Sequence, residues 1–241
     1  MPVTYDLSGK NAVVTGGAKG IGKAIAEKLS NSGAKVHVCD LNAGELNSVT
    51  FARVDITRPD EIKSAIDNLI AKNTRVDILV NDAGYLGQTT KFEDHDPSDW
   101  QRIVSVNLIG TMQVTQALLP HMRKWSGGRI VNMASLAGKE GLAGLAAYSG
   151  ASAGILSFTK ALSREVADAG IRVNCVAPGP IDTDMIRDLD LDAVKAMIND
   201  SPMKRLGKAE EVAHMVAWLC SDASDFNTGA VFDMSGGRAR Y

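Results

Sequence analysis

The first residues with a recognisable chemical use are glycines set between an apolar run and a helical pattern. Residues 12–15 lead into Thr15-Gly16-Gly17-Ala18-Lys19-Gly20-Ile21-Gly22, and Lys23 to Leu29 continue with helical spacing. Glycines at 16, 20 and 22 permit a tight turn and a close backbone approach to a pyrophosphate. Ile21 and its neighbours at the helix start offer free N–H groups and the positive end of the helix dipole. The second apolar run ends at Asp40, 24 residues after Gly16, with Leu41 next. A carboxylate there accepts both hydroxyls of a ribose and repels a 2′-phosphate, so the pattern favours NAD, with NADP the less favoured. Lys19 weighs the other way: it reads either as a phosphate partner or as a solvated surface lysine. Asp55, followed by Ile56, is either a neighbour of the helix start Thr57-Arg58-Pro59-Asp60 or an acceptor for an adenine amino group. Asn81-Asp82-Ala83-Gly84 closes a further apolar run at the edge where nucleotides bind, which places Asn81, Ala83 and Gly84 beside the cofactor.

Positioning such a site requires strands that end together. Short β-rich runs occur at 12–15, 35–39, 51–54, 76–80, 129–133, 172–176 and 230–233. Amphipathic segments lie between them near 20–31, 59–72, 98–125, 148–168 and 208–222. Continuously apolar strands alternating with helices predict an α/β fold: a Rossmann-type, doubly wound parallel sheet of about seven strands with helices on both faces. No linker, repeat or low-complexity tract interrupts it, so 1–241 reads as one dinucleotide-binding domain. Only fourteen residues separate Asp40 from Asp55 and they must hold the third strand, which leaves room for a loop or a single helical turn where a crossover helix is usual.

Bulk properties narrow the partners. The 26 basic and 28 acidic residues give a net charge of −2, which predicts neither a nucleic-acid nor an anionic-membrane footprint. No uncharged apolar run approaches the ~20 residues that span a bilayer, and the N-terminus lacks a signal pattern. Cys39, Cys175 and Cys220 are widely spaced and read as buried free thiols, which suits a cytoplasmic protein. The four histidines have no ligand spacing, so no catalytic metal is expected.

These features together resemble the short-chain dehydrogenase/reductase family over nearly the whole chain. The family's Thr-Gly-x-x-x-Gly-x-Gly turn matches Thr15 to Gly22, and its Asn-Asn-Ala-Gly turn matches residues 81–84, with Asp82 a departure. The resemblance places the catalytic asparagine at Asn107, the catalytic serine at Ser135 and the catalytic tyrosine at Tyr148. It places the nicotinamide contacts at Pro178, Gly179, Ile181 and Thr183. It also implies a homotetramer, with helices at 98–125 and 148–168 in an interface where the small residues Gly150, Ala151, Ala153 and Gly154 permit close approach.

The family's motif Tyr-x-x-x-Lys is broken here. The chain reads Tyr148-Ser149-Gly150-Ala151-Ser152, so a serine stands at the lysine position. In the family scheme the tyrosine exchanges a proton with the substrate oxygen while a hydride moves to or from the nicotinamide. A tyrosine has a reference pKa of about 10, and a nearby ammonium lowers it by roughly 1–3 units. Ser152 lies one turn from Tyr148 on the same helical face and can bind ribose or hold a water, but it brings no charge. Lys160 is about 18 Å further along that helix at 1.5 Å per residue. Lys139 reaches Tyr148 only through an unusual fold-back.

The resulting expectation is an NAD-dependent oxidoreductase interconverting a small secondary alcohol and a ketone. Ser135 holds the substrate oxygen, Tyr148 is the acid/base, Asn107 orders a relay water, and Ser152 replaces the lysine. The alternative is a non-catalytic NAD-binding scaffold or sensor of the same family. The segments 85–88, 136–138, 142–145 and 185–186 are candidate pocket walls, largely apolar and without an arginine clamp, and 184–203 is a candidate lid.

Overall fold

The computed structural model describes residues 5–71, 75–187 and 190–241, with nothing said of the Met185 side chain. The chain opens with β1 (Asn11–Thr15), α1 (Gly20–Asn31), β2 (Lys35–Asp40), β3 (Thr50–Arg53), α2 (Pro59–Ile70) and β4 (Ile78–Asn81). A long helical span follows, α3 (Pro97–Val104) and α4 (Thr111–Lys124), joined by a π-helical stretch at Ser105–Gly110. Next come β5 (Gly128–Met133), α5 (Leu136–Glu140), α6 (Ala146–Glu165) and β6 (Ile171–Pro178). The chain ends with β7 (Ile181–Asp182), α7 (Asp184–Arg187), α8 (Leu191–Asp200), β8 (Gly207–Lys208), α9 (Ala209–Cys220) and β9 (Val231–Met234).

Seven strands form one sheet in the order β3-β2-β1-β4-β5-β6-β9, and every pairing is parallel. Parallel strands bury both faces, and the alternation shows it. Val14, Val38 and Val80 point to a core with Ile25 and Leu29 of α1 and Val212 and Val216 of α9. Val13, Leu79 and Ile130 point to a second core with Ile62 of α2, Leu118 of α4 and Leu162 of α6. All seven expected strands are present, and residues 41–49 between β2 and β3 are a loop without a helix.

The register aligns the strand ends that build the site. Thr15 pairs with Asn81, and Asn81 with Asn132, so β1, β4 and β5 end level with one another. Chain direction across the sheet reverses between β1 and β4, which opens a crevice at their carboxyl ends. A buried polar chain fixes that level. Asn81 Nδ2 donates to Thr115 Oγ1 (3.0 Å) and Asn132 Oδ1 (2.9 Å), and Asn132 Nδ2 donates to Thr159 Oγ1 (2.9 Å). One side chain thus ties β4 to α4 and β5, and the next ties β5 to α6.

The span 97–124 is long and apolar enough, at a mean hydropathy of 1.2, to cross a membrane by composition alone. Here it is laid on the sheet, with Ile103, Val114, Leu118 and Met122 buried. Cys175 and Cys220 are buried, Cys39 is half-buried, and all three are free. Burial pushes their thiols up, to about 11 for Cys39 and about 12 for the other two.

Replacing Asn132 with alanine takes one of two acceptors from the Asn81 amide and the amide donor from Thr159 Oγ1. Urea unfolding should show a loss of about 1–3 kcal/mol; a loss below about 0.5 kcal/mol would mean that the network does not hold the strand ends.

Candidate active site at the carboxyl edge of the sheet

The glycine-rich turn is packed too tightly for side chains. Gly16 has φ of +67°, and a Cβ there would lie 2.6 Å from Ala83 Cα. At Gly22 a Cβ would stand 2.2 Å from the Gly16 carbonyl oxygen. Thr15 Oγ1 accepts from the Asp82 N–H (3.1 Å) and the Ala83 N–H (3.2 Å), which joins this turn to residues 81–84. Lys19, exposed, stands at the N-cap of α1 with no side-chain capping bond, so the Gly20 and Ile21 N–H groups at the helix start are open for an anion. Thr183 faces Gly20 across this opening, with its methyl 3.7 Å from where a Gly20 Cβ would be.

Asp40 ends β2 and turns into the same region. Its Oδ2 accepts from the Ala18 N–H (3.0 Å) and its Oδ1 from the Asn42 N–H (3.2 Å), so the carboxylate also shapes the turn. Leu41 is exposed at 45%. Asp55 Oδ1 accepts from both the N–H and the hydroxyl of Thr57 (2.9 and 2.7 Å), the role of a helix-start neighbour. Several expected cofactor residues keep their side chains in the interior: Ile56 and Ile181 are buried, and Asn81 belongs to the polar chain beneath the crevice. What they present to the crevice is backbone. Gly179 follows β6 and donates its N–H to Met234 O at 3.1 Å.

Asn107 sits in the π-helical stretch, a rare geometry often found at functional sites. Its Oδ1 accepts from the Tyr85 N–H (2.9 Å), and its Nδ2 donates to Tyr85 O (2.7 Å) and Ile103 O (2.9 Å). The amide therefore clamps residue 85 and satisfies a carbonyl that the widened turn would otherwise leave open. Both amide hydrogens are spent on carbonyls. A Cβ at Gly84 would meet Asn107 Oδ1 at 2.9 Å.

Ser135 caps α5, its Oγ accepting from the Ala137 N–H at 3.1 Å, and its hydroxyl favours ionisation of the Tyr148 phenol. Tyr148 lies in the first turn of α6, and Ser152, one turn on and 4% exposed, bears on the phenol in the same sense but more weakly. Three hydroxyls thus converge where the family resemblance puts acid/base chemistry. Burial raises the Tyr148 phenol above its ordinary value of 10; the Ser135 and Ser152 hydroxyls oppose the shift, and the charge of Asp82 adds to it.

Asp82 has an unusual setting of its own. Its Oδ2 stands 2.6 Å from the Cβ position of Gly22, and its carboxyl takes the Gly22 N–H. Burial pushes it well above the usual carboxylate range, the Gly22 N–H opposes this, and Asp40 adds to it. Neither candidate lysine compensates. Lys139 is bound to Asp233 at 2.9 Å and lies over the Tyr241 ring, which spends its ammonium away from Tyr148.

Asp99 is a site residue that pattern reading did not find. Its Oδ1 accepts from Tyr85 Oη (2.7 Å) and its Oδ2 from the Gln88 N–H (2.9 Å), while His95 Nε2 lies 2.8 Å away. Arg102 stacks over the Tyr85 ring at 4.3 Å. These contacts pin 85–88, and the Thr90 N–H donates to Gly144 O (3.0 Å), which links that wall to 142–145. Leu136 and Ala137, expected in the pocket wall, are the buried residues of α5 instead. The lid segment 184–203 holds two short helices and includes 188–189, which lie outside the described residues.

With this geometry in view, the comparisons agree. A family model described as enoyl-(acyl carrier protein) reductase matches residues 16–239. The chain belongs to the short-chain dehydrogenase/reductase family. It is 36% identical over 245 residues to 3-oxoacyl-(acyl-carrier-protein) reductase FabG of Chlamydia trachomatis, covering 97% of this chain and 98% of the relative. It is 34% identical over 241 residues to 2-dehydro-3-deoxy-L-rhamnonate dehydrogenase (NAD(+)) of a Sphingomonas species, at 97% of each. Among solved structures, the ligand-free aldohexose dehydrogenase of Thermoplasma acidophilum superposes with a TM-score of 0.93 at 30% identity, over 99% of this chain and 97% of that one.

The Gln88 N–H, the Tyr85 hydroxyl and His95 bring Asp99 down to about 2, from an ordinary 3.8. A depressed carboxylate holds the wall above its ordinary pKa and releases it as the pH falls toward 2. Asp99→Ala should raise amide exchange at Gln88 about tenfold or more at neutral pH. Unchanged exchange there would show that the wall stands without Asp99.

Proposed function

We propose that the chain is an NAD-dependent oxidoreductase, one domain across 1–241, that interconverts a small secondary alcohol and a ketone. The observation that carries this reading is the convergence of the Ser135, Tyr148 and Ser152 hydroxyls beside the open start of α1. The residues fit a dinucleotide: the Gly16–Gly22 packing brings backbone N–H groups to the crevice, and Asp40 stands where a ribose would lie. When bound, the nicotinamide exchanges the hydride. Ser135 Oγ holds the substrate oxygen; Tyr148 Oη gives it a proton in reduction and removes one in oxidation. Asn107 acts as a positioning residue through Tyr85, and Ser152 supplies a hydroxyl to the phenol where the family has a cation. Lys19, Gly20, Ile21, Ala83, Gly84, Gly179 and Thr183 complete the cofactor contacts. The name of the Sphingomonas relative includes NAD(+), which supports the same cofactor here.

The assembly we propose is a homotetramer in a reducing, cytoplasmic setting. An apolar groove of about 420 Å³ lined by Phe92, Trp100, Val104 and Ala147 supports the helices at 97–124 and 146–165 as one interface. Gly150 has open space beside it and suits that face, whereas Gly154 packs within the chain against Leu108.

A second reading is favoured by one specific observation: a neutral serine stands one turn after Tyr148, where the family has an ammonium. On that reading the protein binds NAD and turns nothing over.

Isothermal titration should give tighter binding of NAD(H) than of NADP(H), with Asp40→Ala narrowing the gap. Turnover on a panel of secondary alcohols, read by nicotinamide absorbance, should keep climbing past neutrality. The sign follows from the raised phenol: the basic form needed for oxidation appears only as the pH approaches its pKa, whereas reduction uses the protonated form and stays level below it. Tighter NADP binding overturns the Asp40 assignment. A plateau reached near pH 7 overturns the acid/base assignment, and NAD binding with no turnover favours the scaffold.

A further inference from the structure

The chain between β7 and β8 leaves the sheet at its carboxyl edge and returns there. Ile181 pairs with Gly207 and Asp182 with Lys208, which closes the excursion 183–206 at its base. At one end Thr183 faces Gly20 at the start of α1. At the other, Ser201 to Met203 lie against the turn that follows β9. A Cβ at Gly236 would stand 2.7 Å from Ser201 Oγ, and the Met203 N–H donates to Gly236 O at 3.3 Å. Met234, just before that turn, is level with Pro178 at the end of β6. Helix α8 is carried between these two ends and buries none of its 10 residues. A helix this short without a packed face is marginal in water, so its hold on the body falls to polar contacts.

One such contact comes from outside the excursion. Arg238 Nη2 stands 3.4 Å from Asp200 Oδ2, with the arginine side chain 19% exposed and the aspartate 59%. Asp200 is the last residue of α8, where the helix dipole disfavours a carboxylate. The segment that carries Arg238 is itself fixed to the sheet. Gly236 and Gly237, both at positive φ (+68° and +85°), fold the chain back after β9. The Ala239 N–H then donates to Ser235 Oγ (3.0 Å), which donates to Asp233 Oδ1 (2.6 Å). Asp233 also holds Lys139 of α5, the helix that Ser135 caps.

We propose that Arg238 is a positioning residue: its ion pair with Asp200 holds α8 over the carboxyl edge of the sheet and so slows the release of a dinucleotide bound there. The inference rests on the cofactor reading above, and it does not require Arg238 to touch the cofactor. Without the pair, an unmatched carboxylate at the helix end favours local opening of α8. The excursion then lifts from its Asp200 end while Thr183 keeps its place beside α1. Opening of this kind is what lets a bound cofactor leave.

The test pairs two measurements on the full chain: amide exchange along residues 194–200, and the rate of NADH release followed by stopped-flow fluorescence. Arg238→Gln should speed both about threefold, the scale of a partly exposed ion pair. Asp200→Asn should do the same, although taking a carboxylate from a helix end would slow exchange if the pair did nothing. The charge-swapped double variant, Arg238→Asp with Asp200→Arg, should bring both rates back toward the wild type. If only the phosphorylated cofactor binds, NADPH release is followed instead. Unchanged exchange in the single variants, or faster exchange with unchanged release, overturns the inference while the cofactor reading stands. A double variant that restores neither rate also overturns it. Binding of neither NADH nor NADPH overturns both the inference and the cofactor reading.

Discussion

The reversal of strand order between β1 and β4 is the constraint on which the site depends. Two strands that lie side by side send the chain away to opposite faces, and the space left at their ends must still be closed behind. The closure is made by backbone. Thr15 Oγ1 takes the N–H groups of Asp82 and Ala83, Gly16 lies against Ala83, and Gly22 passes over the Gly16 carbonyl. Side chains at 16 or 22 would push these segments apart and remove the concave surface on which N–H groups converge. The buried Asn81–Asn132–Thr159 chain then fixes how far β4 and β5 reach, and so where Ser135 emerges after β5.

Given that frame, the chemistry is decided by charge. A phenol that must exchange a proton is half-buried near two serine hydroxyls, and the ionisable group that bears on it is a carboxyl. Hydroxyls stabilise a tyrosinate by hydrogen bonding, but they do so less than an ammonium at the same range. Desolvation is then the larger influence, and the phenol stays above its ordinary value. Lys139, a few residues from Ser135 in sequence, is held by Asp233 on β9 and adds nothing to the phenol's balance.

Much of this was legible in the sequence because it follows from local pattern. The seven strands, the helices at 20–31 and 59–70 and the missing crossover after Asp40 all follow from periodicity and spacing. The glycine turn was legible because so few residues can occupy it. What was hidden depends on tertiary contact. The span near 98–125 reads as one helix, yet it widens at Ser105–Gly110, where Asn107 turns its amide to Tyr85 and Ile103. The mid-helix asparagine was the one trace of this. Asp99 left none, since its partners at Tyr85 and Gln88 come from a loop 11–14 residues away. Asp82 was visible as a departure from the Asn-Asn-Ala-Gly pattern, but only the fold shows that its carboxyl lies against Gly22 in the glycine turn.

The claim that a high-pKa phenol sits at the centre of this site can be measured without turnover. The absorbance of tyrosinate, titrated in the folded protein and corrected by subtracting Tyr148→Phe, isolates the one phenol of interest. The account predicts a midpoint above the ordinary value of about 10, and a fall of roughly 1–3 units in Ser152→Lys. A wild-type midpoint near or below 8 would contradict it, because some cation would then have to be doing what Ser152 cannot.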